Sequence, residues 1–429
     1  MRRTPLAGVI AGLALVLAAA ACGGGDDGGT GSGKSVDPAT VSGTVTYWDT
    51  SDAAVEGPAF KELIAEFKTK YPKVNVNYVN VPFGEAQNKF KTAAQSGSGA
   101  PDVLRTEVGW MTEFASLGYL APLDGTYALE NAGDFLPAPA GSAKYNGKTW
   151  GVPQVTDSLG LLYNKDLLKK AGHDAPPKTV AELKQYALDV KSKTGKTGLT
   201  LNVDAYFLLP FIYGEGGDLV DAANKKITIN SPQSVAGLTV VTDLMESGAA
   251  PKPAITDSYT AAITALKEGK TAMIYNGPWS ATDALKGSAF KDRANLGVAP
   301  VPAGTAKAAA PTGGHDYTVY AGSKNLDASY AFVRFMSSTA GQAKIAAKLG
   351  LLPTRTSAYS VPEVKNSELV NTWKPIVDTA VPRAWIPEGG QLFEPLVQAY
   401  QGMVSGNTDA AGAAKTVDGK YRAILKGWS

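Results

Sequence analysis

Gly43-Thr44-Val45-Thr46-Tyr47-Trp48 is rich in β-formers and alternates, so it predicts a strand. Pro58 to Tyr71 follows, with Phe60, Leu63, Ile64 and Phe67 at helical spacing, and Pro72 ends the helix. Val74-Asn75-Val76-Asn77-Tyr78-Val79-Asn80-Val81 alternates again and stops at Pro82. A helix over Glu85 to Gln95, a loop from Ser96 to Pro101 and a short strand at Asp102-Val103-Leu104-Arg105 complete the stretch. Strand, helix, strand, helix, strand is the opening of an open, mostly parallel α/β sheet.

Upstream of this unit the chain reads as an export segment. Met1-Arg2-Arg3 is basic, and Leu6 to Ala21 is apolar but rich in Ala and Gly. Such a run is short for a membrane span and predicts a signal peptide over residues 1–21. Cys22 is the single cysteine and has no partner for an internal disulfide. Its place after Ala19-Ala20-Ala21 matches a bacterial lipobox, although Ala19 stands where leucine is usual. Lipidation at Cys22 would anchor the chain to the outer face of the cell membrane. Residues 22–40 hold the Gly/Asp/Ser run Gly23 to Ser35, whose side chains cannot build a core, and are expected to form a tether, with folding from Val41.

Of 41 basic and 39 acidic residues, two basic ones are Arg2 and Arg3, so the exported chain carries balanced charge. That balance, without a basic run, argues against nucleic acid as a partner. Roughly 390 remaining residues exceed what one core serves, so two domains are expected. Only 2 histidines stand against 7 Trp, 18 Tyr and 12 Phe. This composition disfavours a metal site, a cofactor or histidine acid/base chemistry and suits flat apolar ligands.

Downstream, strands are expected at Gly147 to Pro153, Ser158 to Tyr163 and Thr271 to Tyr275. Helices fit Trp110 to Gly118, Asn164 to Ala171, Val180 to Lys193, Tyr206 to Tyr213, Ser231 to Ser247 and Ser258 to Glu268. Further helices fit Ala328 to Ser337, Gly341 to Leu349, Leu392 to Val404 and Asp409 to Leu425.

Tyr163-Asn164-Lys165-Asp166-Leu167-Leu168, followed by Pro176-Pro177-Lys178-Thr179, resembles the central strand-helix motif of extracellular solute-binding proteins of the maltose-binding kind. Thr271-Ala272-Met273-Ile274-Tyr275-Asn276-Gly277-Pro278-Trp279 is similar to a second motif of that family. Pro101-Asp102-Val103, Tyr145-Asn146-Gly147-Lys148 and Leu351-Leu352-Pro353-Thr354-Arg355 are consistent with it in the same order. Trp385 to Leu396 looks like the maltose/maltodextrin-binding lipoproteins of actinobacteria. The likeness runs from about Thr44 to the C-terminus.

The resemblance implies a two-lobed periplasmic-binding-protein-like fold (type II), each lobe a mostly parallel sheet flanked by helices, with the ligand cleft between lobes. By position, one lobe takes residues 41–155 plus 302–338 and the other 156–297 plus 342–429, with crossings near 155, 300 and 340. It also implies a small-molecule solute, a carbohydrate, delivered by a monomer to the permease subunits of an ABC importer.

A sugar offers hydroxyls and flat C–H faces, so carboxylates and aromatic rings at strand ends are the candidates. Asp52 follows the first strand where the family places a hydroxyl-binding acid; equally, it reads as a helix N-terminal acid before Pro58. In the loop Leu104 to Trp110, Glu107 and Trp110 are candidates for the family's acid and ring, with core packing the other reading of Trp110. Asp157, before Leu159, aligns with a family carboxylate and otherwise reads as a hinge acid. Asp204 and Tyr206 align with a Glu/Tyr pair, and Asp204 also suits an N-cap. Trp279 is projected by Gly277-Pro278, while Phe393 stands where relatives stack a tryptophan, flanked by Trp385 and Glu388. His315, on the glycine-rich turn Gly313-Gly314-His315-Asp316, is either a cleft or a surface residue.

A secreted glycosidase would need two carboxylates flanking one bond, which Asp157 with Asp204 could supply, but nothing in the sequence marks an acid/base pair. A polyamine receptor would also use acids and rings. The ordered motifs favour a non-enzymatic binder of maltose, maltodextrin or a related α-glucoside.

Overall fold

The computed structural model describes residues 36–429. The expected signal peptide, Cys22 and the tether as far as residue 35 lie outside them. Folding starts earlier than Val41: Thr40 N donates to Asp37 O at 3.0 Å, and Val36 packs on the core. No helix among the described residues is long and apolar enough to cross a membrane.

Two sheets organise the chain. The first has six strands in the order Leu352–Pro353, Gly151–Asp157, Gly313–Val319, Val103–Glu107, Gly43–Asp49, Val74–Asn80. The second has four, in the order Leu296–Pro300, Gly160–Asn164, Thr271–Asn276, Thr197–Thr200. Each is flanked by helices and has its own buried cluster. Val45, Phe60, Leu63, Val103 and Phe332 lie in one, and Leu161, Leu183, Leu208, Met273 and Tyr400 in the other. The helix Gly57–Lys70 shows how sequence becomes packing. Pro58 opens it, and the stripe Phe60, Leu63, Ile64 and Phe67 is buried. Each such side chain contributes about 1.5–3 kcal/mol.

Both sheets are mixed, which corrects the expectation of mostly parallel ones. Gly43–Asp49 pairs in parallel with its two neighbours, whereas Gly313–Val319 runs antiparallel to both strands beside it. A strand returning from the other half enters from the opposite end, so its direction is set by the crossing and not by a βαβ step. The expected boundary at 342 also moves. Ile345 and Leu349 of the helix Thr339–Leu349 pack in the first cluster, and Leu352–Pro353 joins the six-stranded sheet. The strands Thr197–Thr200 and Leu296–Pro300 and the helix Glu368–Val377, none of them expected, complete the second half.

Candidate functional site

The strand ends of the six-stranded sheet carry a buried polar floor. Asp49 Oδ2 accepts from Ser51 Oγ at 2.6 Å and from Tyr78 Oη at 2.7 Å. Arg105 Nε donates to Gln154 Oε1 at 2.8 Å, and its Nη2 stands 3.8 Å from Glu56 Oε1. Burial raises the Glu56 carboxyl, and the Arg105 guanidinium opposes that rise. Asp52 sits exposed at the rim, where Oδ1 accepts from Ala54 N at 2.8 Å and Val55 N at 2.9 Å. Asp52 therefore caps the turn that precedes the helix Gly57–Lys70 and not the helix itself, whose N-cap position is Glu56.

Asp157 ends the strand Gly151–Asp157 opposite Gly313. A Cβ on Gly313 would lie 2.2 Å from Asp157 Oδ1 and 2.5 Å from Tyr206 Oη, so the missing side chain lets acid and phenol converge. Tyr206 Oη donates to Pro311 O at 3.1 Å. Asp157 is 7% exposed, and burial, then the Glu107 carboxylate, push its pKa up to about 7. A carboxyl raised in this way keeps its proton where the unfolded chain has lost it. Stability should therefore drain away as pH rises from about 4, the ordinary carboxylate range, to about 7, and stay level above. Asp157→Asn cannot ionise, so its urea midpoint should gain on the wild type across that window; a constant difference would show Asp157 freely ionised in the fold.

Glu107, Arg383 and three rings form the next part. Glu107 caps the helix Val108–Ser116, its Oε2 accepting from Gly109 N at 2.8 Å, and its Oε1 pairs with Arg383 Nη2. Arg383 Nε donates to Thr312 O at 3.0 Å. The guanidinium stands 5.5 Å from the ring of Tyr206, 5.2 Å from Trp385 and 5.7 Å from Phe393. Arg383, which sequence reasoning missed, thus gathers four expected site residues. It lies in an irregular segment after Pro382, where no periodicity marks a buried cation. Glu388 stays outside the cluster, at the turn that opens Gly389–Leu392.

Two expectations are corrected here. His315 belongs to the strand Gly313–Val319, opposite Glu107 and Val155, and not to a turn. Both ring nitrogens are buried without a partner, and burial, then Arg105 and Arg383, lowers its pKa well below the ordinary value. Trp110 is 7% exposed and packs on Phe114 and under Phe83, so core packing accounts for it.

Trp279 forms the opposite wall. Its ring crosses Gly277 so closely that a Cβ there would meet it at 1.9 Å, which explains the glycine. Trp279 Nε1 donates to Tyr259 Oη at 3.0 Å, and the ring lies 6.5 Å from that of Tyr206. Trp279 packs against the clusters of both halves. Asp204 and Tyr259 are exposed, and the protein around them raises both pKa values. For Tyr259, pushed up to about 12, burial is the main cause, and the Glu56 and Asp52 carboxylates add to it from the facing half. Asp204 Oδ1 also caps Ala205–Gly214, accepting from Tyr206 N at 2.8 Å. A separate groove of about 560 Å³ borders Arg383, lined by Asp218, Asp221, Ser231 and Gln233. It has no aromatic lining, so the crevice between the sheets is the better site for a ligand with apolar faces.

The model of the bacterial extracellular solute-binding protein family matches residues 51–343. The maltooligosaccharide ABC transporter solute-binding lipoprotein of Streptococcus pneumoniae is 30% identical, over 83% of this chain and 84% of the relative. The maltotriose-binding protein of Pyrococcus abyssi is 26% identical, over 77% of this chain and 70% of the relative. The GacH receptor of Streptomyces glaucescens, whose crystal structures are unliganded and in complex with acarbose, is 52% identical. It superposes with a TM-score of 0.88, covering 91% of this chain and 100% of the receptor.

Proposed function

Since the chain belongs to the family of bacterial extracellular solute-binding proteins, we propose that it is the receptor of an ABC sugar importer and takes maltose, a maltodextrin or a related α-glucoside. The observation that carries this reading is the cluster of rings and acids where the two halves meet, with Trp279 beside Tyr259 and Tyr206, Asp157 beside Tyr206, and Asp52 on the facing half. Rings bury the C–H faces of a sugar, and carboxylates accept from its hydroxyls. A hydroxyl left unpaired in a closed crevice costs about 1–3 kcal/mol, which gives selectivity. The names of the relatives support the α-glucoside class.

In this reading ligand touches both halves only when they are closed, and so selects that form. The closed monomer passes the sugar, chemically unchanged, to the permease. A lipid on Cys22 keeps it at the outer membrane face. The relatives are named as binding proteins and receptors, which supports binding over glycoside hydrolysis.

Titration of tryptophan fluorescence with maltose, maltotriose, acarbose, trehalose and spermidine tests the proposal. A saturable response to maltotriose, with the sugar recovered intact after prolonged incubation, is expected. A response to spermidine alone would transfer the crevice to polyamines, and release of glucose would make the protein a hydrolase.

A further inference from the structure

Carboxyls outnumber guanidiniums where the two sheets adjoin. Arg105 faces Glu56 and Arg383 pairs with Glu107, while Asp49 accepts from Ser51 and Tyr78. Asp157 and Asp316 take part in no ion pair among the described residues. Asp316 is fully buried within its strand, and neither carboxyl oxygen has a hydrogen-bond partner. Asp157 stands differently. It is the last residue of Gly151–Asp157, where the chain leaves the six-stranded sheet to enter the four-stranded one at Gly160.

Each half supplies part of its surroundings. From the first come Gly313, against Asp157 Oδ1, the Glu107 carboxylate, the Arg105 guanidinium and Glu56. From the second come Arg383 and Tyr206, the latter on the helix Ala205–Gly214 that Asp204 caps. Tyr206 Oη donates to Pro311 O and not to the carboxyl. His315, on the neighbouring strand, is kept neutral by burial. Burial, then Glu107, favours the neutral acid at Asp157, and Arg105 and Arg383 oppose it.

We propose that closure of the two halves on a sugar is coupled to uptake of one proton at Asp157, so that the receptor holds its ligand more tightly in acidic than in neutral surroundings. The inference rests on the sugar-binding reading above. When the halves part, Tyr206 and Arg383 leave with the second one and water reaches the carboxyl. Asp157 then titrates in the ordinary carboxylate range of about 4, against about 7 in the closed form. Between those values closure binds a proton, and affinity declines as pH rises. Above them both forms are ionised and affinity is level. The neutral carboxyl also offers a sugar oxygen a hydrogen bond that the carboxylate cannot donate.

Isothermal titration with maltotriose, in buffers of different ionisation enthalpy, measures the protons bound with the sugar. The wild type is expected to take up roughly one proton at about pH 5.5 and to bind roughly ten-fold more weakly at about pH 7.5. Asp157→Asn, which cannot ionise, is expected to lose both the uptake and the slope, whatever its absolute affinity. Infrared difference spectra of the wild type carrying carbon-13-labelled aspartate give a second readout that needs no variant: maltotriose should bring up a protonated carboxyl band under the acidic condition. Sugar binding without proton uptake would overturn the coupling and leave the receptor reading intact, as would uptake that persists in Asp157→Asn. A wild type that binds no α-glucan at any pH would end both readings.

Discussion

Trp279→Ala is expected to cost about a hundred-fold in affinity for maltotriose. Among the described residues the ring is the one aromatic surface that packs against the buried clusters of both halves, and its Nε1 donates to Tyr259 Oη at 3.0 Å. Alanine removes the stacking face and leaves Tyr206 and Tyr259 without their neighbour. Truncating a central aromatic anchor in a binding site costs about 2–4 kcal/mol, and each 1.4 kcal/mol is about ten-fold. Trp279 is half-buried and sits on a short turn, so the melting temperature should move little. Calorimetric titration beside a thermal melt separates the two effects. Wild-type affinity in a folded variant would remove Trp279 from the site.

The second large effect concerns the Arg383–Glu107 pair. Their side chains are 9% and 12% exposed, and Arg383 has three rings around its guanidinium. Arg383→Ala strands the Glu107 carboxylate. Leaving one member of a buried pair alone costs about 3–5 kcal/mol. Water can relieve that cost without unfolding the chain, because Glu107 lies on the six-stranded sheet while Arg383 packs with Tyr206 and Phe393 of the other half. The expected result is an opened crevice. Its radius of gyration in X-ray scattering rises and sugar affinity falls by about a hundred-fold, with a smaller loss in the unfolding midpoint. The double variant Arg383→Met/Glu107→Gln carries no stranded charge and should recover part of the compactness. An unchanged radius together with unchanged affinity would mean that the pair does not bridge moving parts.

Glu113 adds a second polar link across the same boundary. It is 3% exposed and accepts from Gln87 Nε2 at 2.9 Å and from Gln391 Nε2 at 3.3 Å, while Lys91 Nζ lies 2.5 Å from its Oε1. Its neighbours come from both sides of the crevice, so a variant at Arg383 does not remove every link between them.

The sequence alone determined what depends on neighbours along the chain. Phe60, Leu63, Ile64 and Phe67 fall on one face because a helix repeats every 3.6 residues, and the structure buries that face. The alternation from Val74 and the β-rich Gly43 to Trp48 gave paired strands for the same local reason. Gly277-Pro278 predicted a turn at the end of the strand, which the structure forms at Pro278–Ser280, and the ordered motifs led to the family. The tertiary structure decided the rest. Gly313–Val319 opens with two glycines and carries His315 and Asp316, so nothing local marks it as an inner strand. It becomes one because segments near 105 and 155 offer it hydrogen-bond partners on both edges. Arg383 reads as an exposed cation after a proline until Glu107, far away in sequence, is folded against it. As a letter, Trp110 reads as a sugar ring or a core ring; only packing shows that it is buried on Phe114 and covered by Phe83. Periodicity is a property of the chain, but burial and charge pairing belong to surfaces that meet after long loops close.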